Sequence, residues 1–467
     1  MRTSRRFSVL ATLTLFSGWW LWPASQAQSP AKLLPSTTAA QSQRENLVGT
    51  SSCSARACHG GLSPVAGQAV QQNEHTTWLT LDKHAQAYLV LFEKRSQEIA
   101  KYIPNAKGEK VPAHKNDRCL ACHTNTLSLA NAEASPILAE ELIAGVGCEA
   151  CHGGAREGLG PHTKPGWKRA LGMTATWNIV GYAEKCVGCH VGAGETKDLP
   201  LRDVNHDLIA AGHPRLNFEF SVFLDNVPRH WSLKKEQEKP PDFAAKAWTL
   251  GQLVSAEAAL ELLHYRASSR QAPWPEFAEY DCFACHHDLG QPSWRQKSEH
   301  YDGRQPGSLP WGSWYFSMTT SVLASQDAQP KSLLGLKNLT RMMQKPQPIR
   351  EEIAQQAAAV ASVMKAWLEG VDANFDSRAV SKQVISSSDR CLKLASQNWD
   401  GAEQVYLALA ALAAQNEGLK PALETLGRDL AFGPVSGRHR YDSPEQFVPD
   451  KDEFASRLAA LLRQLGK

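Results

Sequence analysis

The last third of the chain alternates apolar and polar residues at helical spacing. Residues 350–370 (REEIAQQAAAVASVMKAWLEG) and 401–415 (GAEQVYLALAALAAQ) are rich in Ala, Leu and Gln and lack Pro and internal Gly, which favours helix. Residues 421–430 and 452–465 add two amphipathic stretches. Asp400 directly precedes the second run, so we expect it to be the N-cap. The pattern predicts an α-helical domain over residues 313–467, with no catalytic motif to assign its role.

The N-terminus carries a different apolar pattern. Three arginines precede an apolar run over residues 7–22, and small residues follow up to Ala27. This arrangement is typical of a cleaved signal peptide, here residues 1–27, and the run is too short to predict a membrane span. We therefore expect export to the periplasm, with anchoring by an uncleaved leader as the alternative. Residues 28–47 are rich in Ser, Thr, Gln and Ala and predict a disordered linker.

Between these segments, five cysteine pairs interrupt the hydrophobic pattern, and each has a histidine directly after its second cysteine. Cys-x-x-Cys-His is the covalent attachment signature of c-type haem, in which two thioethers hold the macrocycle and the histidine is the proximal iron ligand. Residues i, i+3 and i+4 share one face of a helical turn. The sequence therefore predicts five covalently bound c-type haems, at units numbered 1 to 5 along the chain: Cys53, Cys58 and His59; Cys119, Cys122 and His123; Cys148, Cys151 and His152; Cys186, Cys189 and His190; Cys282, Cys285 and His286.

Zinc and disulfides are the competing interpretations of these cysteines. A four-cysteine zinc site does not need a histidine after every pair, and disulfides within such pairs would connect nothing distant. Unit 1 is the least regular, because Cys53 and Cys58 are too far apart for one helical turn. We expect a loop or bulge there. The remaining cysteine, Cys391, is expected to be a small buried apolar residue.

The density of the five units predicts the organisation of this region. The segment from Cys53 to His286 has fewer than fifty residues for each predicted haem. The porphyrins would therefore supply much of the apolar core, with short helices and loops around them. Residues 291–312 shift to Pro, Gly, Ser and charged residues, which is typical of a linker. The predicted fold is mainly α: a pentahaem cytochrome c domain over residues 48–290, a linker, and the helical domain.

The charge of the chain does not favour two classes of partner, nucleic acid and anionic lipid. The formal charge of +3 equals the contribution of the three arginines of the leader, and the chain without them is formally neutral. No Lys- or Arg-rich block occurs, so neither nucleic acid nor anionic lipid is an expected partner. We also expect no integral membrane span once the leader is cleaved. Redox proteins or quinone-linked donors are the expected partners of a haem-bearing chain.

The second axial ligands must come from histidines outside the five units. Met173 is the one methionine among residues 48–290, so two-histidine ligation is the default, which gives low potentials. Sequence context favours four histidines as distal ligands: His84, His162, His206 and His213. His206 and His213 lie two helical turns apart on one segment. The plane of a haem between them would have to pass through the helix backbone, so we expect them to serve two different haems.

Other histidines compete for the remaining position, or one haem is five-coordinate. No local pattern distinguishes among the five candidates for this position: His75, His114, His230, His264 and His287. His300, in the linker, and His439, in the C-terminal half, are expected to be unligated.

Three stretches of this region carry a family resemblance. They are CHGG followed by GPH around unit 3, AGHPRLNFE from residue 211, and DKHAQAY from residue 82. Together they resemble the multihaem cytochrome c family typified by cytochrome c-554 (cytochrome c-552/4-like), and more distantly hydroxylamine oxidoreductase. The resemblance covers about residues 50–290. It implies closely stacked haem pairs, mostly two-histidine ligation and electron transfer, and it supports the distal role of the four favoured histidines. The family type has four haems, lacks the wide spacing of unit 1, and has no helical C-terminal half.

The leading functional hypothesis is a periplasmic electron-transfer protein, not an enzyme. One alternative is an oxidoreductase acting on a small nitrogen or sulfur compound at a five-coordinate haem. The Cys-x-x-Cys-Lys unit of nitrite reductases is absent from the sequence, and no cluster of Arg, Lys and Tyr marks a substrate site. A second alternative is a haem-bearing docking subunit of a larger redox complex. Fold resemblance by itself does not separate these functions.

Overall fold

A computed structural model of the chain describes residues 46–466 except 69, 130–135, 165–173, 175, 177, 197–198, 232–238, 288–302, 326–329, 372–375, 433–443 and 448–452. The predicted leader, nearly all of the linker over residues 28–47, Met173, His300 and His439 lie outside the described residues. Among the described helices, none has the length and apolarity that a membrane crossing requires.

The described part of the chain is mainly α, as predicted, and its β-structure is limited to two isolated bridges, Ala193 with Arg202 and Tyr280 with Trp311. The α-helices are α1 Glu74–Leu81, α2 Lys94–Ala100, α3 Asp117–His123, α4 Pro136–Ile143, α5 Cys148–His152, α6 Ile179–His190, α7 His206–Ala210, α8 Phe220–Asn226, α9 Phe243–Ser268, α10 Thr319–Ser325, α11 Pro330–Met343, α12 Arg350–Val371, α13 Ser377–Ser386, α14 Ser388–Ala395, α15 Trp399–Leu412, α16 Lys420–Leu430 and α17 Phe454–Leu465. Short 3₁₀ turns connect many of them, including Thr50–Cys53, Lys83–Gln86, Leu89–Phe92, Ala113–Lys115, Pro161–Thr163 and Cys282–Ala284.

Helices form where the hydrophobic pattern predicted them in the last third of the chain. The four stretches correspond to α12, α15, α16 and α17. The predicted N-cap of α15 is wrong, because the helix begins earlier and Asn398 accepts the hydrogen bond from the Gly401 amide at 2.8 Å. Asp400 lies in the first turn instead, with its side chain fully buried. Its charge serves a tertiary contact described below.

Helix α9 is the centre of the main core. It packs against α6, α8, α12 and α15, and residues on every side of it are buried, among them Leu250, Leu253, Leu260 and Leu263. The helix also buries polar side chains, among them Gln252 and Arg266. Gly251 allows the close approach of α8, because a Cβ there would lie 2.5 Å from the Cβ of Phe220.

One continuous apolar cluster extends from Val180 in α6 to Leu462 in α17. It therefore joins helices on both sides of the predicted linker, and Trp314, just after that linker, donates from Nε1 to the Phe218 carbonyl at 2.9 Å. The proposed division into two domains stays a prediction. The first part of the chain differs, since among its described residues the separate cluster of buried apolar side chains is small: Leu91, Ala100, Ala113 and Leu120.

A large cavity takes the place of a core in the described residues of this first part. Its volume is about 1870 Å³, and its lining includes the cysteines and histidines of units 1 to 4. A region with few buried apolar residues of its own does not gain enough burial free energy to offset chain entropy. The sequence-based expectation that bound porphyrins supply the core agrees with this arrangement.

Candidate haem-binding sites

Three of the five attachment units lie on helical turns. Unit 2 lies in α3, unit 3 makes up the whole of α5, and unit 4 ends α6. Asn116 and Asn178 begin two of these helices by accepting hydrogen bonds from the Arg118 and Gly181 amides. In a helical turn the second cysteine and the histidine project on the same side as the first cysteine. Local structure therefore aims both sulfurs and the imidazole in one direction.

Units 1 and 5 have other local structures. In unit 1 a 3₁₀ turn ends at Cys53, and the Cys58 and His59 amides then both donate to the Ala55 carbonyl, at 2.8 and 3.1 Å. This is the loop that the wide spacing of the cysteines requires. In unit 5 a 3₁₀ turn contains Cys282, and the His286 amide donates to its carbonyl at 2.8 Å.

Each proximal histidine faces one histidine from elsewhere in the chain. The ring centroids of the five pairs are separated by nearly the same distance: 6.2 Å for His59 and His162, 6.5 Å for His123 and His213, 6.4 Å for His152 and His230, 6.0 Å for His190 and His84, and 6.1 Å for His286 and His206. We call these the ligand pairs of units 1 to 5. No histidine occurs in two of these pairs.

The separation has a specific chemical meaning. A metal–imidazole nitrogen bond is about 2 Å long, and a ring nitrogen lies about 1 Å from its ring centroid. Two imidazoles on opposite faces of one metal ion therefore have centroids about 6 Å apart. Direct packing of two rings permits shorter distances, such as the 4.3 Å between Phe92 and His114. The ligand pairs fit haem iron bound between two imidazoles.

The structure brings all four predicted distal histidines to different units. His84, His162, His206 and His213 face units 4, 1, 5 and 2, and the last two serve different units, as their spacing requires. The histidine that sequence reasoning did not single out is His230, which faces unit 3. No local motif marks it, and only the fold brings it to His152.

The other candidates for the fifth distal position have different surroundings. His75 packs on Trp78, with ring centroids 5.5 Å apart, and His114 stacks on Phe92. His264 bonds through Nδ1 to the Ala354 carbonyl at 2.8 Å. His287 directly follows His286 in the sequence.

Most ligand-pair rings are oriented by a bond at Nδ1. Backbone carbonyls accept from His123, His162, His213 and His230, at 2.8, 2.7, 2.8 and 3.1 Å. Such bonds select the tautomer that leaves Nε2 free as a metal ligand. Burial also lowers the pKa of His152 and of His190 to about 4. These imidazoles are therefore neutral at pH 7, as metal ligation requires.

Two of the rings have carboxylate partners instead. His59 Nδ1 lies 2.9 Å from Glu74 Oε2, and His84 Nδ1 lies 2.9 Å from Asp82 Oδ1. The hydrogen bond with Glu74 raises the pKa of His59, and that with Asp82 raises the pKa of His84.

Contacts between cysteines give the spatial order of the units. The Cys148 thiol of unit 3 lowers the pKa of the Cys53 thiol of unit 1, and the Cys189 thiol of unit 4 raises that of the Cys122 thiol of unit 2, so the two thiols of each pair lie close together. Helices α5 and α6, which carry units 3 and 4, pack together. Units 1, 3, 4 and 2 thus follow one another around the common cavity. The distal histidines of units 5 and 2 lie close together along the chain, on α7 and just after it.

The described residues that line this cavity include none of the cysteines and histidines of unit 5. Unit 5 is instead in contact with the start of α15. Asn398 donates to Asp281, the residue that directly precedes Cys282, at 3.1 Å. Arg215, just after the distal histidine of unit 2, donates from both terminal nitrogens to the buried Asp400 at 2.9 and 2.8 Å. The C-terminal half therefore contributes directly to the surroundings of a candidate haem-binding unit.

Cys391 has the surroundings expected of a structural residue. Its side chain is fully buried in the main core, and its thiol points to the Val384 carbonyl at 3.7 Å. Burial raises the pKa of this thiol to about 11, so it stays protonated and unreactive at neutral pH.

Comparison with known proteins agrees with the chemistry of these sites over part of the chain. Residues 52–153 match the sequence profile of the family described as cytochrome c554 and c-prime. No curated protein and no solved structure matches the chain. The match spans units 1 to 3, and the family implies covalently bound c-type haem, haem-based electron transfer and a location outside the cytoplasm. The cytochrome c-554-like family predicted from the motifs is thereby confirmed over these residues.

Proposed function

We propose that the chain is a periplasmic electron-transfer protein with five c-type haems, each held by two thioethers and ligated by two histidines. The observation that carries the proposal is the set of five ligand pairs, each with a centroid separation that fits one iron. When bound, c-type haem supplies one-electron chemistry at iron. The protein contributes the ligands, their spacing and the surrounding charge.

The ligand sets assign one distal histidine to each unit. His162, His213, His230, His84 and His206 would complete units 1 to 5 in that order. His230 is thus our choice for the position that sequence reasoning left open. The backbone carbonyls at Nδ1 hold the rings in the orientation that ligation needs, so little rearrangement accompanies haem attachment.

The order of the units supports conduction through the protein. Units 1, 3, 4 and 2 adjoin one another around the cavity, and unit 5 is linked to unit 2 by the short segment 206–213. Close spacing of redox centres lets an electron cross a protein in short steps. Units 1 and 5 are the two ends of this series, and we expect electrons to enter and leave the protein there. Redox proteins or quinone-linked donors remain the proposed partners.

The enzymatic alternative needs a haem with an open coordination position. In each of the five ligand pairs a second imidazole is already in place, so a substrate would have to displace it. The alternative of a docking subunit would require the C-terminal helices to bind a partner protein. The contact described for α15 is with unit 5 of the same chain and does not favour that alternative. Electron transfer is therefore the function that the geometry supports best.

Intact mass and electron paramagnetic resonance test this proposal. The exported protein should carry five haems with Cys391 unmodified, and its ferric spectrum should contain low-spin iron only. The His230→Ala variant should gain one high-spin signal and bind carbon monoxide. The matched variant His264→Ala should do neither. High-spin iron in the parent, or turnover of nitrite or hydroxylamine at about 1–10³ per second, would overturn the proposal.

A further inference from the structure

The five ligand pairs differ in the charge of the groups that hold them. Carbonyl oxygens accept from Nδ1 at both rings of unit 2 and at the distal rings of units 1 and 3. Carboxylates accept in two places, from the proximal ring of unit 1 and from the distal ring of unit 4. Local structure around the two carboxylates shows that both are held for this contact.

Glu74 is positioned by its own helix and by a loop. It is the first residue of α1, where the helix dipole favours a negative charge. Its Oε1 accepts from the Gln71 amide at 2.7 Å while Oε2 faces His59 Nδ1. Its side chain is 18 % exposed. With one oxygen anchored to the backbone, the other is directed at the imidazole.

Asp82 is positioned by the turn that it caps. Its Oδ1 accepts both from the His84 amide at 3.0 Å and from His84 Nδ1 at 2.9 Å. It thereby caps the 3₁₀ turn Lys83–Gln86 and orients the ring that this turn carries. The residue is 8 % exposed, so water screens the charge poorly.

A carboxylate at Nδ1 changes the electronic character of the ligand. It draws the Nδ1 proton toward itself, makes the imidazole a stronger electron donor and places a negative charge near the metal. Both effects favour the ferric state, which carries one more positive charge than the ferrous state. A neutral carbonyl does so to a smaller extent.

We infer that Glu74 and Asp82 are tuning residues that lower the reduction potentials of the haems at units 1 and 4 relative to those at units 2 and 3. The inference rests on the proposed ligand pairs. Along the order 1, 3, 4, 2 the potentials then alternate between lower and higher. At equilibrium electrons reside preferentially on the haems of units 3 and 2, and electron transfer from these to units 1 and 4 is unfavourable in free energy.

The test is a redox titration of each haem in variants that remove the charge and keep an acceptor. Glu74→Gln should raise the potential of one haem, and Asp82→Asn that of a different one. We expect a change of at least tenfold in the ratio of reduced to oxidised haem at a fixed applied potential, which is about 59 mV for one electron. The low-spin resonance of the same haem should shift, because its g-values report the donor strength of the ligand.

Two further variants keep the result unambiguous. Glu98→Gln removes one negative charge at the surface, where Glu98 pairs with Lys101, and should leave all five potentials unchanged. Thr176→Asp introduces a carboxylate where the Thr176 hydroxyl now lies 3.4 Å from His152 Nδ1, and should lower the potential of the haem at unit 3. This variant tests the inference even if Asp82→Asn fails to fold.

The outcomes separate this inference from the proposed function. A parent protein with high-spin iron or fewer than five haems would refute the ligand pairs themselves. A parent protein with five low-spin haems, whose potentials stay the same in Glu74→Gln, Asp82→Asn and Thr176→Asp, would refute the tuning role alone. Shifts in Glu74→Gln and Asp82→Asn that are no larger than those in Glu98→Gln, or that are spread equally over all five haems, would also refute it.

Discussion

The buried ion pair between Arg215 and Asp400 connects the haem-binding region with the C-terminal helices. Asp400 is fully buried, accepts from both terminal nitrogens of Arg215 at 2.9 and 2.8 Å and also accepts from the Ser313 hydroxyl. Arg215 follows the distal histidine of unit 2 by two residues. Replacing Asp400 with Ala leaves a guanidinium with most of its surface buried and without its ion-pair partner.

The contacts give the size of the expected loss. Each of the two charge-assisted hydrogen bonds contributes roughly 1.5–3 kcal/mol, and removal of one partner of a buried pair costs about 3–5 kcal/mol. We therefore expect Asp400→Ala to lower the free energy of unfolding by about 3–5 kcal/mol. The double variant Arg215→Met, Asp400→Leu removes both charges and should lose much less than the two single variants together.

Denaturation of the haem-loaded protein measures these changes. Unfolding in guanidinium chloride is followed by far-ultraviolet circular dichroism and by Soret absorption, which report the helices and the haem surroundings. Because one apolar core joins the two parts of the chain, both signals should shift to lower denaturant together. Asp376→Ala is the matched control, since this exposed aspartate caps α13 and its loss costs about 1 kcal/mol.

Two outcomes would refute the reasoning. One is an Asp400→Ala variant that loses no more stability than Asp376→Ala, because the pair would then contribute no more than a surface cap. The other is a double variant whose loss equals the sum of the single losses, since the two charges would then act independently.

Three other predictions follow from single residues. Burial raises the pKa of Glu257 in the folded protein to about 8, from 4.5 in the unfolded chain. The free energy of unfolding is therefore greatest below pH 4.5, where the carboxyl is protonated in both states, and it falls as pH rises through 8. Glu257→Gln should thus stabilise the fold at pH 9 but not at pH 4, by about 1.4 kcal/mol per pKa unit. A gain in unfolding free energy that is equal at both pH values would contradict this. Gly145 has φ of 74°, and a Cβ there would lie 2.8 Å from the His84 carbonyl oxygen. Gly145→Ala should therefore cost about 1–3 kcal/mol and perturb the low-spin resonance of one haem, whereas Gly67→Ala, which shares the positive φ without the contact, should leave every resonance unchanged. Cys391→Ala should keep the haem count by intact mass and lose about 1 kcal/mol by denaturation; a lower count would mean that this thiol holds haem.

Sequence alone was informative wherever the chemistry is local. Two cysteines and a histidine at i, i+3 and i+4 share one side of a turn in any helix, so units 2 to 4 could be identified without a fold. The wide unit 1 required a loop for the same steric reason. Helices of the C-terminal half were predictable because their apolar spacing repeats over many residues, although the start of α15 was placed wrongly.

The tertiary structure decided which groups meet across the chain. The position of Asp400 shows why the cap was misjudged: an aspartate near a helix start favours capping locally, but its contact with Arg215 depends on the packing of distant segments. His230 is the same case among the ligands, because no neighbour in sequence relates it to His152. The carboxylate partners of His59 and His84 were also invisible, since a hydrogen bond at Nδ1 depends on the orientation of a ring. Local spacing predicted the haem-attachment units, and long-range packing determined which side chains face each unit and what charge surrounds it.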